Sequence, residues 1–206
     1  MNKYLFYIFT SISFAMLIAS PGRFVFGVVI CLELILLICI NFLFSYLSKK
    51  LDLSEFNNVF SLVGLVFFAC LYKQIVSIFF PIIALSLSFV FFLPVVTSFV
   101  IGISTNAFIE DLQKSFSKSV KFSVFFSLYA LFIYLIRDIL GYGTITYFAK
   151  NGFGEIILLN DTFTWTTFFA SIPGALFIVC VSILLFLIIQ NKFKIIQRAG
   201  LIDVSR

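Results

Sequence analysis

The sequence predicts an all-α membrane protein with six transmembrane helices, on three observations. First, 62% of the 206 residues are apolar and 11% charged, far from the usual soluble balance of about half apolar and a quarter charged. Second, mean hydropathy is +1.18. Third, the apolar residues fall into six runs of the ~20-residue length that a ~30 Å hydrocarbon core requires. The runs are residues 4–20, 24–47, 56–79, 81–101, 120–140 and 164–190, so the chain is a single integral membrane domain with little left over for a soluble one.

Each run has its own punctuation. The first is short and ends at Ser20-Pro21-Gly22-Arg23, where Pro and Gly stop a helix. It lacks a small-residue cleavage site and reads as a retained helix, whole or half, not a signal peptide. The second and third are uninterrupted. The fourth carries Pro94, followed by Thr97 and Ser98. Interrupted first and fourth helices are the pattern of two inverted three-helix repeats, here roughly residues 1–80 and 81–206; two ordinary proline-kinked helices would read the same way. Between the fourth and fifth runs, residues 104–119 carry Glu110-Asp111, Lys114 and Lys118 at helical spacing and read as a short surface helix or solvated loop. Between the fifth and sixth, residues 141–163 are too apolar for a disordered linker and are expected to pack on the membrane face or on a partner.

The net charge of +5 is sorted by side and not gathered into a patch for nucleic acid. One side carries Lys3, Lys49, Lys50, Lys114, Lys118, Lys121, Lys192, Lys194, Arg198 and Arg206; the other has Arg23, Arg137 and Lys150. The positive-inside rule then places both termini in the cytoplasm. The absence of histidine removes imidazole metal sites and His-based acid/base pairs. Gly-rich phosphate loops are absent too. Cys31, Cys39, Cys70 and Cys180 lie in apolar runs without a CxxC pair and read as small packing residues.

Two ionisable residues, Glu33 and Lys73, sit inside runs. Intramembrane charges are costly and normally face the bundle interior, where they pair or line a path. Glu33 is roughly 14 Å and Lys73 roughly 9 Å from the same end of their helices, at 1.5 Å per residue. A Glu33–Lys73 ion pair is therefore expected; a snorkelling Lys73 without a partner and an ion or proton route are the alternatives.

The segment Ile136–Phe148, IRDILGYGTITYF, contains the GYG of potassium-channel filters, but a filter follows a pore helix and is buried among four subunits, whereas here a full span ending in Arg137-Asp138 precedes it. Neighbours on a helix point to different faces, and Arg137 and Asp138 read as interface anchors. Gly141 and Gly143 read as helix-stop and turn residues, and Thr144 as a local backbone partner.

Together, IRDILGYGTI and the later ASIPGALFIVCVSILL resemble the E-type subunit of Rnf complexes and its D-type counterpart in the sodium-pumping Nqr complex. That family has an R-E-x-x-G-x-G-T-like segment after its fifth helix and a P-P-G-A-F-like start to its sixth. Arg137, Asp138, Gly141, Gly143, Thr144, Pro173 and Gly174 carry the likeness. FFLPVVTSF resembles the family's I-P-L-I-V-T-N-C segment, and Asn41 in CINFLFS sits like its S-N-L-T-I-S. The resemblance implies a multi-pass subunit of the bacterial cytoplasmic membrane, paired with a homologous six-helix sister of inverted orientation and with other Rnf/Nqr-type subunits. It also implies a place in an ion-translocating electron-transport complex, where each sister supplies two half-helix cysteines to a midplane iron-sulfur cluster. The corresponding positions here are Phe14, or its neighbour Ser13, and Phe99. A phenyl ring cannot replace a thiolate on iron, so no cofactor or metal is expected in this chain and no catalytic residue is assigned. The alternative functions are the substrate-binding membrane component of a vitamin-type transporter and a scaffold subunit. Coupling ion, electron donor and acceptor do not follow from the residues.

Overall fold

The computed structural model describes residues 12–51, 56–106, 112–149, 152–158, 166–185 and 188. Runs this apolar form helices because only internal hydrogen bonds can satisfy a backbone in lipid. Residues 12–19 (α1) are helical and stop at Ser20; the start of the first expected span lies outside the described residues. Helix α2 is Phe24–Lys50 and α3 is Asn57–Phe79, within a few residues of the second and third runs.

The fourth run is broken, as Pro94 predicts, but earlier than Pro94 itself. Helix α4 (Pro81–Ser86) ends in a turn at 87–89, a 3-10 turn covers Val90–Phe92, and α5 (Leu93–Asn106) follows. Pro94 stands in the first turn of α5, where its missing N–H breaks no hydrogen bond. Helix α6 is Leu112–Tyr142 and takes in much of the segment expected as a surface helix or loop. A hairpin follows, then α7 (Thr166–Ala170) and α8 (residues 172–185). The sixth run is thus also interrupted, at Ser171.

Among the described residues three helices are long and apolar enough to cross a bilayer, Phe24–Ser48 of α2, all of α3, and Ser119–Tyr142 of α6; Val90–Ile103 and Ile172–Leu185 are shorter apolar helices. The chain is a helical membrane protein on this ground. Helix α2 is its centre: 61% of its most apolar stretch is buried, against 39% in α6 and 17% in α3. Its Val25, Val29, Ile30, Leu34 and Ile38 join Met16 and Leu17 of α1, Phe91, and Phe126, Ala130, Ile133 and Tyr134 of α6 in the main core. A smaller cluster joins Leu37 with Leu65, Ala69 and Val95. Helix α3 turns Val63, Phe67, Ile75, Ile78 and Phe79 outward, as a lipid-facing or partner-facing side does.

Polar side chains add cross-links between helices. Asn41 Nδ2 donates to the Ser98 carbonyl (2.6 Å) and its Oδ1 accepts from Ser61 (2.5 Å), joining α2, α5 and α3. Gly102 makes room: a Cβ there would stand 2.1 Å from Asn41 Nδ2.

Candidate functional site

The familiar-looking segment builds a buried polar junction at one end of the bundle. Arg137 and Asp138 end up 1% and 0% exposed, so they are interior residues and not the interface anchors expected. Their adjacency sends them to different partners, as expected.

Arg137 binds carbonyls. Its Nη1 donates to Leu17 (2.9 Å) and Ser20 (3.1 Å), and its Nη2 to Ala170 (3.3 Å). The first two belong to the end of α1 and the third to the end of α7, where carbonyls lack intrahelical partners and the helix dipole favours a cation. One planar guanidinium thereby ties two interrupted helices to α6. Gly22 lets it lie close: a Cβ there would be 3.2 Å from Arg137 Nε.

Asp138 binds N–H and O–H groups. Its Oδ2 accepts from the amides of Phe24 (3.1 Å) and Thr146 (2.8 Å) and from Thr146 Oγ1 (2.7 Å); Thr144 Oγ1 reaches Oδ1 at 3.5 Å. Phe24 is the first residue of α2, so a carboxylate from another helix does the work of an N-cap side chain. Thr146 Oγ1 in turn accepts from the Val25 amide (3.2 Å).

The hairpin is the element the sequence did not announce. Strands β1 (Thr144–Ala149) and β2 (Gly152–Ile157) pair antiparallel, Thr144 opposite Ile157 and Ala149 opposite Gly152. Gly143 launches it at φ 65°, with its amide on Ile139 (3.0 Å) and its carbonyl accepting from Leu158 (2.8 Å), which is a left-handed helix stop. Gly141, expected to share that role, is still helical and serves close packing: a Cβ there would stand 2.9 Å from the Ala170 amide. Glu155 of β2 pairs with Arg23, whose guanidinium also covers the rings of Tyr142 (4.3 Å) and Phe153 (4.7 Å). Ser20 and the buried Tyr134 hydroxyl share a hydrogen bond nearby.

Pro173 and Gly174 begin α8. Gly174 abuts the α7 backbone, since a Cβ there would meet the Phe168 carbonyl at 2.1 Å. The two motif pieces that carry the resemblance thus both pack on α7, Arg137 and Gly141 at Ala170 and Gly174 at Phe168 and Phe169.

Other expectations fare differently. Glu33 and Lys73 are not brought together: the ion pair among the described residues is Arg23–Glu155, neither Glu33 oxygen has a hydrogen-bond partner, and Lys73 Nζ lies 5.8 Å from the Phe92 ring centroid. The inward stripe of α3 runs Ser61, Leu65, Ala69, Val76 and is completed by Tyr72, which donates to the Val29 carbonyl at 2.9 Å. Lys73, about 100° further round the helix, misses it.

Phe14 and Phe99 do not fit an iron site. Phe14 packs edge-on to Phe126 (6.2 Å) and Tyr129 (6.1 Å), whereas Phe99 packs against the smaller core cluster. No group of three or more His, Cys, Asp or Glu able to hold a metal ion exists among the described residues. Cys31 is buried with Sγ 3.6 Å from the Ser127 carbonyl, and Cys39, Cys70 and Cys180 are exposed.

Comparison with protein-family models, curated proteins and solved structures finds no match for the chain. Among the described residues, the junction's hydrogen bonds run to the chain's own backbone and side chains and fasten α1, α2, α7 and the hairpin to α6.

Proposed function

We propose that the chain is an inner-membrane subunit of an Rnf/Nqr-type ion-translocating electron-transport assembly, with six spans and cytoplasmic termini. Within it, the chain acts as the packing half beside a homologous six-helix sister and supplies no iron ligand from positions 14 and 99. The observation that carries this reading is the junction at Arg137 and Asp138. The residues most like the family's are those that fasten interrupted helices to an uninterrupted bundle, as a subunit built around broken helices requires. The apolar outward face of α3 supports it further, because such a face suits lipid or a helical neighbour equally well.

The test is mass spectrometry of the proteins that co-purify with the tagged chain from native membranes in mild detergent. Recovery of a six-helix homologue and flavin-bearing subunits is the expected result. Recovery of ATP-binding-cassette ATPases with a transmembrane coupling subunit would replace this reading with an uptake component, and recovery of the chain alone would overturn it as well.

A further inference from the structure

Glu33 stands within the central helix α2, fully buried, and neither carboxyl oxygen has a hydrogen-bond partner. Among the described residues no charged group pairs with it. Of the cations packed near this part of the bundle, Lys73 of α3 lies against Phe92, and Arg137 of α6 is committed to the carbonyls of Leu17, Ser20 and Ala170. The titratable groups of the neighbouring helices are likewise engaged: Tyr72 of α3 with the Val29 carbonyl, Tyr134 of α6 with Ser20, Tyr129 of α6 with Ser182, and Cys31 of α2 with the Ser127 carbonyl. Helices α4 and α5 and the described residues of α1 have no titratable side chain.

The same slab of the bundle holds further orphaned polar atoms. Phe14 against Phe126 and Tyr129, and Cys31 against Ser127, bring α1, α2 and α6 to one level. At that level the hydroxyls of Ser13, Ser123 and Ser127 are buried and also lack partners. An ionised carboxylate without partners in such surroundings is far costlier than the neutral acid. A bound proton neutralises it with no coordination shell, whereas a metal ion would require several oxygens gathered round it, and among the described residues none stands at hydrogen-bond distance from Glu33.

We propose that Glu33 is a proton-binding site inside the membrane-spanning bundle, held as a neutral carboxylic acid at neutral pH. The site belongs to this chain alone and does not depend on the assembly proposed above. The test is infrared spectroscopy of the full chain in liposomes near neutral pH, in H2O and D2O. The expected spectrum has a carboxylic-acid C=O band that shifts in D2O, is unchanged by added sodium chloride, persists in Glu155→Gln and is lost in Glu33→Gln. A difference spectrum between wild type and Glu33→Gln that contains only carboxylate bands overturns the proposal. An acid band abolished by sodium overturns it in favour of a sodium site. Should Glu33→Gln fail to fold, the wild type treated with dicyclohexylcarbodiimide, which adds to protonated buried carboxyls, takes its place. An adduct mapped to Glu33 with loss of the acid band is then expected, and an unmodified Glu33 overturns the proposal.

Discussion

Replacing Asp138 separates two kinds of contribution, because its three strong hydrogen bonds all end on one oxygen. Phe24 N, Thr146 N and Thr146 Oγ1 bond Oδ2, while Oδ1 meets only Thr144 Oγ1 at 3.5 Å. In Asp138→Asn the amide oxygen can occupy the Oδ2 position and keep all three, with its NH2 turned to Thr144, whose hydroxyl can accept. The loss is then charge assistance alone, about 1–1.5 kcal/mol, since bonds to ionised acceptors are about twice as strong as neutral ones. In Asp138→Ala two backbone N–H groups lose their acceptor in a buried site, each costing about 1–3 kcal/mol, for a total of about 2–6 kcal/mol. At roughly 2–4 °C per kcal/mol for a chain of this size, Asn lowers the melting temperature by a few degrees and Ala by roughly 10 °C. With the exposed Cys39, Cys70 and Cys180 replaced by Ser in every variant, a thiol-reactive dye in detergent reads the transition through the buried Cys31. Equal melting temperatures for the two variants would refute the assignment of Oδ2 as the gathering point.

Arg137→Lys is expected to cost about 2–3 kcal/mol in the same assay, because a single ammonium cannot span carbonyls on both α1 and α7; a wild-type melt would show that the cross-link contributes nothing. Gly27→Ala places a Cβ 2.3 Å from the Tyr134 ring, and that ring is pinned by its bond to Ser20, so a loss of about 1–3 kcal/mol follows. Glu155→Gln breaks a partly exposed ion pair and should change stability by less than about 1 kcal/mol; a large shift would mean that the hairpin depends on that pair.

Much of the helical architecture was legible in the residues. The ends of α2 and α3 follow from where apolar runs meet charge or proline, and the breaks after Ser20 and before α5 from Pro21, Gly22 and Pro94. What escaped was every feature whose partner is distant in sequence. The carbonyls that receive Arg137 belong to Leu17, Ser20 and Ala170, and a carbonyl leaves no mark in a sequence. Thr146 carries no signal beside Thr144 while 141–163 reads as an apolar loop, although the β-branched and aromatic residues of TITYFA favour a strand and Gly152 and Gly154 fall in the facing one. The Glu33–Lys73 expectation compared depth and left out direction around the helix, and depth alone does not make a contact. The break in the sixth run falls at Ser171, just before Pro173 and Gly174 begin α8, with Thr166–Ala170 already helical ahead of it.

The order of the two letters in Arg137-Asp138 has a consequence for α6 as a whole. That helix carries apolar residues around its circumference, with Phe125, Leu128 and Phe132 outward and Phe126, Ala130 and Ile133 inward, so greasiness by itself gives it little sense of azimuth. Rotating it by one residue, about 100°, would carry one of the two into the other's surroundings, the cation among amide hydrogens or the anion among carbonyl oxygens, and would take the other away from its partners. The dipeptide therefore works as an index mark, and its reversal to Asp-Arg would leave composition, charge and hydropathy untouched while erasing the one orientation of α6 that the rest of the molecule accepts.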